Sequence, residues 1–156
     1  MTLPAIFTAA HLDLRRDAPE PDIRLRLVSC RVEHTRGAMS HALVECEGPT
    51  AGQVTTGRKQ GSTCPGGDFR LAAQATLDAL MQATCGALAL ELIGVKPMRA
   101  FDTNVVVVAV LVHHEGQTTR VVGAAVADED PLVGTARATL QGVNRIAAPL
   151  LARLVE

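Results

Sequence analysis

Two stretches of this chain repeat one pattern at an offset of about 63 residues, and this repeat constrains the fold more than any other feature. Ala75, Thr76 and Leu77 recur unchanged at positions 138–140. Turn-forming Gly-Gln pairs stand at residues 52–53 and 116–117. The helical apolar positions also correspond: they are Ala73, Leu77 and Leu80 in the first copy and Ala136, Leu140 and Val143 in the second. The repeat therefore predicts two copies of one structural unit, related by a pseudo-two-fold axis.

Within the first copy, a strand pattern gives way to a helical pattern. In residues 23–28, Ile23, Leu25 and Leu27 alternate with two arginines and Val28, as in a strand with one buried face. Residues 39–45 are predicted to form a second strand, and residues 53–60 form either a polar third strand or a loop. Residues 69–83 have the helical period, and Gly86 is predicted to cap the end of that helix.

The second copy follows the same plan. Residues 88–92 alternate, residues 105–112 are strongly apolar, and residues 118–127 form the third predicted strand. Asp130 is suited to the N-cap of the following helix, and Pro131 to its first position. The predicted unit is thus strand-strand-strand-helix in both copies.

The sequence predicts an α+β fold in which antiparallel sheets carry helices packed on one face. Residues 1–21 are interpreted as an appendage and linker, and residues 22–156 as a single domain with repeat units at 22–86 and 87–150. Residues 105–112 are apolar at both alternating positions, so we expect this strand to be covered on both faces. The cover comes either from the monomer itself or from a second chain.

Composition excludes several function classes. The chain has 15 basic and 16 acidic residues, a formal net charge of −1 and only three aromatic residues, all Phe. Nucleic acid and anionic membranes are therefore not expected as partners. The four cysteines form no CxxC pair, so we interpret them as buried thiols and predict no metal and no cofactor. No signal peptide or membrane span is visible, which predicts a cytoplasmic protein.

The polar segment at residues 57–68 is the first candidate binding site. Its glycines permit close approach of a ligand to the backbone, a helix begins just after it, and cations lie nearby. A carboxylate or phosphate could bind there, although a flexible connector explains the same residues. The candidate residues are Arg58, Lys59, Gly61, Gly66, Gly67 and Arg70.

The matching turn of the second copy contains Asp128 and Asp130, which could face an ammonium group. Helix capping alone also explains Asp130. Together the two turns would offer an amino acid one cationic and one anionic partner across the pseudo-axis. A small enzyme or metal site remains an alternative, and its candidate residues are His34, His41, Glu45 and Cys46.

The second copy resembles the C-terminal regulatory and dimerisation domain of the 2-isopropylmalate synthase family, which includes citramalate synthases. Residues 122–131 and 136–145 carry the resemblance, with an acidic turn, a helix rich in small residues and a terminal Asn-Arg pair. The resemblance extends over roughly residues 22–150 and implies a duplicated fold that binds an end-product amino acid near a dimer interface. The catalytic barrel of the family is absent from this sequence.

These observations predict a non-catalytic module that binds a small metabolite and forms a homodimer. Contact with another protein through a sheet is one alternative, and a structural oligomerisation scaffold is another.

Overall fold

The computed structural model describes residues 23–50 and 52–156, which contain six strands and two helices. The predicted appendage at residues 1–21 lies outside the described residues. In chain order the elements are β1 (Arg26–Thr35), β2 (Met39–Glu47), β3 (Val54–Ser62), α1 (Gly67–Ala83), β4 (Ala89–Ala100), β5 (Thr103–His114), β6 (Gln117–Val126) and α2 (Pro131–Val155).

The strands of this part of the chain form two antiparallel sheets, with orders β1-β2-β3 and β4-β5-β6. A helix follows each sheet. The predicted α+β fold with a duplicated β-β-β-α unit is therefore confirmed.

The first strand begins later than its hydrophobic pattern predicts. The alternation starts at Ile23, but β1 starts at Arg26 because its partner strand β2 ends at Glu47, which pairs with Arg26. Leu25 lies before the strand and is nevertheless buried. The apolar pattern thus reports burial correctly beyond the end of the hydrogen-bond ladder.

The polar residues after the second strand, which we predicted to form either a third strand or a loop, form the strand β3. β3 extends to Ser62 and pairs with the whole length of β2. It therefore includes most of the polar segment that we interpreted as a binding loop. Only residues 63–66 connect β3 to α1, so the expected long ligand loop at residues 57–68 was wrong.

The structure contains the two helix caps that the sequence predicts, one at the start of α2 and one at the end of α1. Asp130 caps α2, accepting hydrogen bonds from the backbone N–H groups of Leu132 at 2.9 Å and Val133 at 3.3 Å, as predicted. At the end of α1, Gly86 donates its N–H to the carbonyl of Met81, and the residue before it, Cys85, adopts a left-handed φ of 53°. The cap predicted at Gly86 therefore also requires Cys85 in a conformation that L-residues disfavour.

Each of the two repeat units contains the same close contact between its helix and its own sheet. Gly57 on β3 packs directly on the α1 backbone at Ala75, and Gly123 on β6 packs in the same way on α2 at Ala138. A side chain at either glycine would collide with the helix. These glycines let each helix approach its own sheet closely.

A second shared contact follows each glycine. The N–H of Arg58 donates to Asp78 on α1 at 3.0 Å, and the N–H of Ala124 donates to Gln141 on α2 at 2.8 Å. Asp78 and Gln141 differ in charge but occupy the same place in the repeat. The duplication is therefore evident in hydrogen bonding as well as in topology.

One contact between strand and helix is present in both units, but the glycine lies on the strand in one unit and on the helix in the other. In the first unit, Gly61 on the strand faces the side chain of Leu71 on the helix. In the second unit, Ala127 follows the strand and faces Gly134 on the helix. Each unit thus has one small and one larger partner at this junction, in opposite order.

The core lies between the inner faces of the sheets and the two helices. Each helix packs on its own sheet, on the other helix and on the first strand of the other unit: α1 contacts β4, and α2 contacts β1. This reciprocity is what a pseudo-two-fold axis requires. Within the described residues, neither helix is long and apolar enough to cross a membrane.

Candidate functional site

The outer faces of the two sheets differ strongly, although their strands have the same pairing. The central and flanking positions of the first sheet are mostly polar: Ser29, Arg31, Glu33, His41, Glu45, Thr56, Arg58 and Gln60. The equivalent positions of the second sheet are mostly apolar or small: Gly94, Met98, Val105, Val107, Ala109, Val122, Ala124 and Val126. The inner faces both pack on helices, so the two copies diverged mainly where they face outward.

The outer face of the first sheet contains a depression of about 650 Å³, which we call the first-sheet depression. Its lining includes Arg31, Glu33, His41, Arg58 and Lys59. Two of the predicted binding residues, Arg58 and Lys59, therefore do lie in a concave surface, but they lie on a strand and not in a loop.

A second cavity, of about 410 Å³, lies where the start of α1 meets the second sheet, and we call it the inter-repeat cleft. Phe69 comes from the first unit, whereas the other lining residues come from the second. The lining consists of Phe69, Pro97, Met98, Asn104, Val105, Val106, Ala127, Asp128 and Pro131. Most of these side chains are apolar, and Asp128 is the ionisable group among them.

Asp128 is an exposed side chain whose charged form is favoured by two hydrogen bonds. The hydroxyl of Thr103 and the backbone N–H of Asn104, the latter at 2.8 Å, donate to its two carboxylate oxygens. These hydrogen bonds lower the pKa of Asp128 below its usual value, and the nearby Arg99 lowers it further. The cleft therefore contains a fixed negative charge beside an apolar wall.

The remaining predicted site residues lie at or near the starts of the two helices, and most of them have a role in forming those helix ends. Gly66 is the N-cap of α1 with a left-handed φ of 73°, and Gly67 packs against the sulfur atom of Cys64. Arg70 is exposed on α1, and Asp130 caps α2. The cleft and the first-sheet depression have no lining residue in common. Arg58 and Asp128, which we expected on either side of one ligand, therefore line two different cavities.

A hydrogen-bonded network links the first hairpin to the start of α1. His34 contacts Ser40 Oγ through Nδ1 at 2.8 Å and Asp68 through Nε2 at 3.2 Å, and Ser40 also contacts the hydroxyl of Thr63 at 2.7 Å. The order Ser-His-Asp is that of a hydrolase triad, but Ser40 is fully buried and shares its hydroxyl with Thr63. The arrangement anchors the helix and offers no accessible nucleophile.

The structure separates the four residues of the alternative metal or enzyme site. His41 and Glu45 lie on the outer face of β2, whereas Cys46 points into the core on the opposite face. Burial raises the pKa of Cys46 to about 12, which disfavours the thiolate. Within the described residues, no three His, Cys, Asp or Glu side chains are grouped as metal ligands.

Sequence reasoning missed the residues that complete the two cavities. Phe69, Met98 and Asn104 reach the cleft from three different elements, and only the tertiary structure brings them together. Arg31, which lines the first-sheet depression, could have been identified from the sequence, because it is a polar residue on the outward side of an alternating strand. Phe101 is 99% exposed at the tip of the β4-β5 hairpin, and nothing in the described structure covers it.

No family model matches this chain, and no curated protein matches it. The resemblance to the regulatory domain of 2-isopropylmalate synthase therefore remains a prediction.

Proposed function

We propose that this protein is a non-catalytic module that binds an amino acid with an apolar side chain in the inter-repeat cleft. The observation that carries the proposal is the ionised carboxylate of Asp128 beside an apolar cavity at the junction of the two units. Cavities with apolar walls and a few polar groups are typical of small-molecule sites.

The chemistry of the cleft fits an amine with an apolar body. Each oxygen of Asp128 accepts one hydrogen bond from the protein, which leaves lone pairs for an ammonium group. Phe69, Met98 and Val105 provide the apolar wall. The start of α1 lies at the cleft, and its dipole favours negative charge there, where Asp68 already supplies one carboxylate.

A homodimer through the outer face of the second sheet is the second part of the proposal. Val122 is 60% exposed, Val126 is 58% exposed and Met98 is 42% exposed on this face. Three strands of about ten residues present roughly 450 Å² of sheet, a size at which exposed apolar patches are often functional. A second copy would cover this face and bring its edge, at Met98 and Val105, next to the cleft.

A cytoplasmic location belongs to the same proposal. All four cysteines are free, as is usual in a reducing compartment. Cys64 and Cys85 are exposed, which corrects the expectation that every thiol would be buried.

Thermal shift and calorimetric titration test the ligand proposal. We expect L-leucine or a similar amino acid to raise the melting temperature of the wild-type protein in a saturable way. The matching 2-keto acid, which lacks the ammonium group, should bind at least tenfold more weakly. Asp128→Asn should abolish the amino-acid effect, whereas Glu129→Gln, one residue further on, should retain it. Equal binding of the amino acid and the keto acid would contradict the assigned role of Asp128.

Light scattering after size exclusion tests the dimer. Val122→Lys introduces a charge at an exposed position and should shift the protein towards the monomer. Val54→Lys is a matched control, because Val54 is 55% exposed on the other sheet. A monomeric wild-type protein, or equal effects of both variants, would exclude this interface.

A further inference from the structure

We propose that the first-sheet depression is a second binding site, separate from the inter-repeat cleft and specific for a small dianion such as a phosphate group or a short dicarboxylate. Arg31 on β1 and Arg58 on β3 both pair with Leu43 of β2. They therefore lie on one face of the sheet, with backbones about 10 Å apart. Both guanidinium groups can reach a ligand that lies over Leu43.

Both arginines are available for a ligand. Within the described residues, neither guanidinium forms an ion pair, although carboxylates lie on the same face. Two of those carboxylates have other partners: Glu45 accepts a hydrogen bond from Ser29 at 3.2 Å, and Glu47 lies 3.7 Å from Arg26. Glu33, which lines the depression, forms no ion pair within the described part of the chain. Two uncommitted guanidinium groups are suited to bidentate binding of phosphate or carboxylate.

The second unit provides an internal comparison for this site. The row equivalent to Arg31, Leu43 and Arg58 contains Lys96, Val107 and Ala124. The second sheet folds with one cation in that row, so the shared fold does not require two arginines in the first. The difference points to a role for the arginines in binding.

The surrounding charges limit the size of the ligand. Glu33 lies in the depression, and Glu45 lies in the neighbouring row on the same face. A long polyanion would extend over these carboxylates and be repelled, whereas a small dianion can remain between the arginines. His41 and Gln60 lie beside the arginines and can donate further hydrogen bonds.

The backbone at Arg58 is held in place from the other side of the sheet. Its N–H donates to Asp78 on α1, which fixes the edge strand against the helix. Preorganisation of this kind reduces the entropic cost of binding.

Calorimetry at low ionic strength, with inorganic phosphate and succinate as probes and chloride as a monoanionic control, tests the proposal. We expect saturable binding of one dianion and no comparable binding of chloride. Arg31→Gln and Arg58→Gln should each weaken binding about tenfold or more, because each removes a charge-assisted contact. Lys96→Gln, at the equivalent position of the second sheet, should leave the dissociation constant unchanged, and so should Asp128→Asn.

Preference for phosphate over succinate would identify a phosphorylated ligand, and the reverse preference a dicarboxylate. Absence of binding by both probes would overturn the proposal. Equal loss in the Arg31, Arg58 and Lys96 variants would also overturn it, since that result indicates general charge attraction and not a site. Failure of the amino-acid proposal would leave this test unaffected, because the two cavities share no lining residue.

Discussion

Gly57 on β3 lies so close to α1 that a Cβ atom on it would stand 1.8 Å from the carbonyl oxygen of Ala75. The equivalent distance in the second unit, from Gly123 to the carbonyl oxygen of Ala138, would be 1.9 Å. Real Cβ atoms do not approach backbone so closely, so each strand and its helix would have to separate.

Gly57→Ala and Gly123→Ala should each lower the free energy of unfolding by about 3 kcal/mol, because backbone atoms cannot move aside as flexible side chains can. Urea denaturation measures this loss. Gly94→Ala is the control: Gly94 also lies in a strand, a Cβ atom there would meet nothing within 4 Å, and the expected change is within about 0.5 kcal/mol. Similar effects of all three substitutions would show that the glycine contacts are not specific.

Cys85→Gly should stabilise the protein. Cys85 has a left-handed φ of 53°, which glycine adopts without strain. The expected gain in the free energy of unfolding is about 0.5 to 1 kcal/mol, since the relief of strain exceeds the extra chain entropy of glycine. Cys85→Ala keeps the strain and removes the thiol, so its stability should remain near that of the wild-type protein. A gain of the same size in the alanine variant would assign the effect to the thiol.

The four thiols should react in two distinct phases with a disulfide reagent such as Ellman's reagent. Cys64 and Cys85 are exposed and should react within the folded protein. Burial raises the pKa of Cys30 to about 11 and that of Cys46 to about 12, so these two should react only when the protein unfolds. A double variant with serine at positions 64 and 85 should lose the fast phase. Four fast thiols would contradict the buried positions of Cys30 and Cys46.

Asp128 should stabilise the protein in a pH-dependent way. Its pKa is lowered in the folded state, so its contribution is complete above the usual carboxyl pKa of about 3.9 and is lost as the pH falls through the lower folded value. The difference in unfolding free energy between the wild-type protein and Asp128→Asn should therefore shrink from pH 6 towards pH 2. Denaturation of both proteins across this range measures the difference. A constant difference would show that ionisation of Asp128 does not contribute.

The repeated strand-strand-strand-helix order could be predicted from the sequence, because local periodicity reports which side of each element is buried. The helix that starts at Pro131 shows this most clearly, since its cap, Asp130, is a local signal. β3 was ambiguous because an edge strand has polar residues on both faces, and only its pairing with β2 shows that it is a strand.

The candidate sites could be predicted only in part, because they depend on contacts between distant segments. Arg58 and Asp128 were visible as charged residues near turns, but they line different cavities because Arg58 lies on the outer face of β3, whereas Asp128 lies in the connection between β6 and α2. Phe69 and Met98 are 29 positions apart and line one cavity only because the start of α1 packs beside β4. No local pattern predicts that contact.

An NMR titration of the ¹⁵N-labelled protein with L-leucine tests the central claim most directly, because it shows both whether the ligand binds and where. The proposal predicts saturable chemical-shift changes that concentrate at Phe69, Asn104 and Asp128, with little change at Arg31 and Arg58. No saturable change with any amino acid, or changes confined to the first-sheet depression, would contradict the inter-repeat cleft as the amino-acid site.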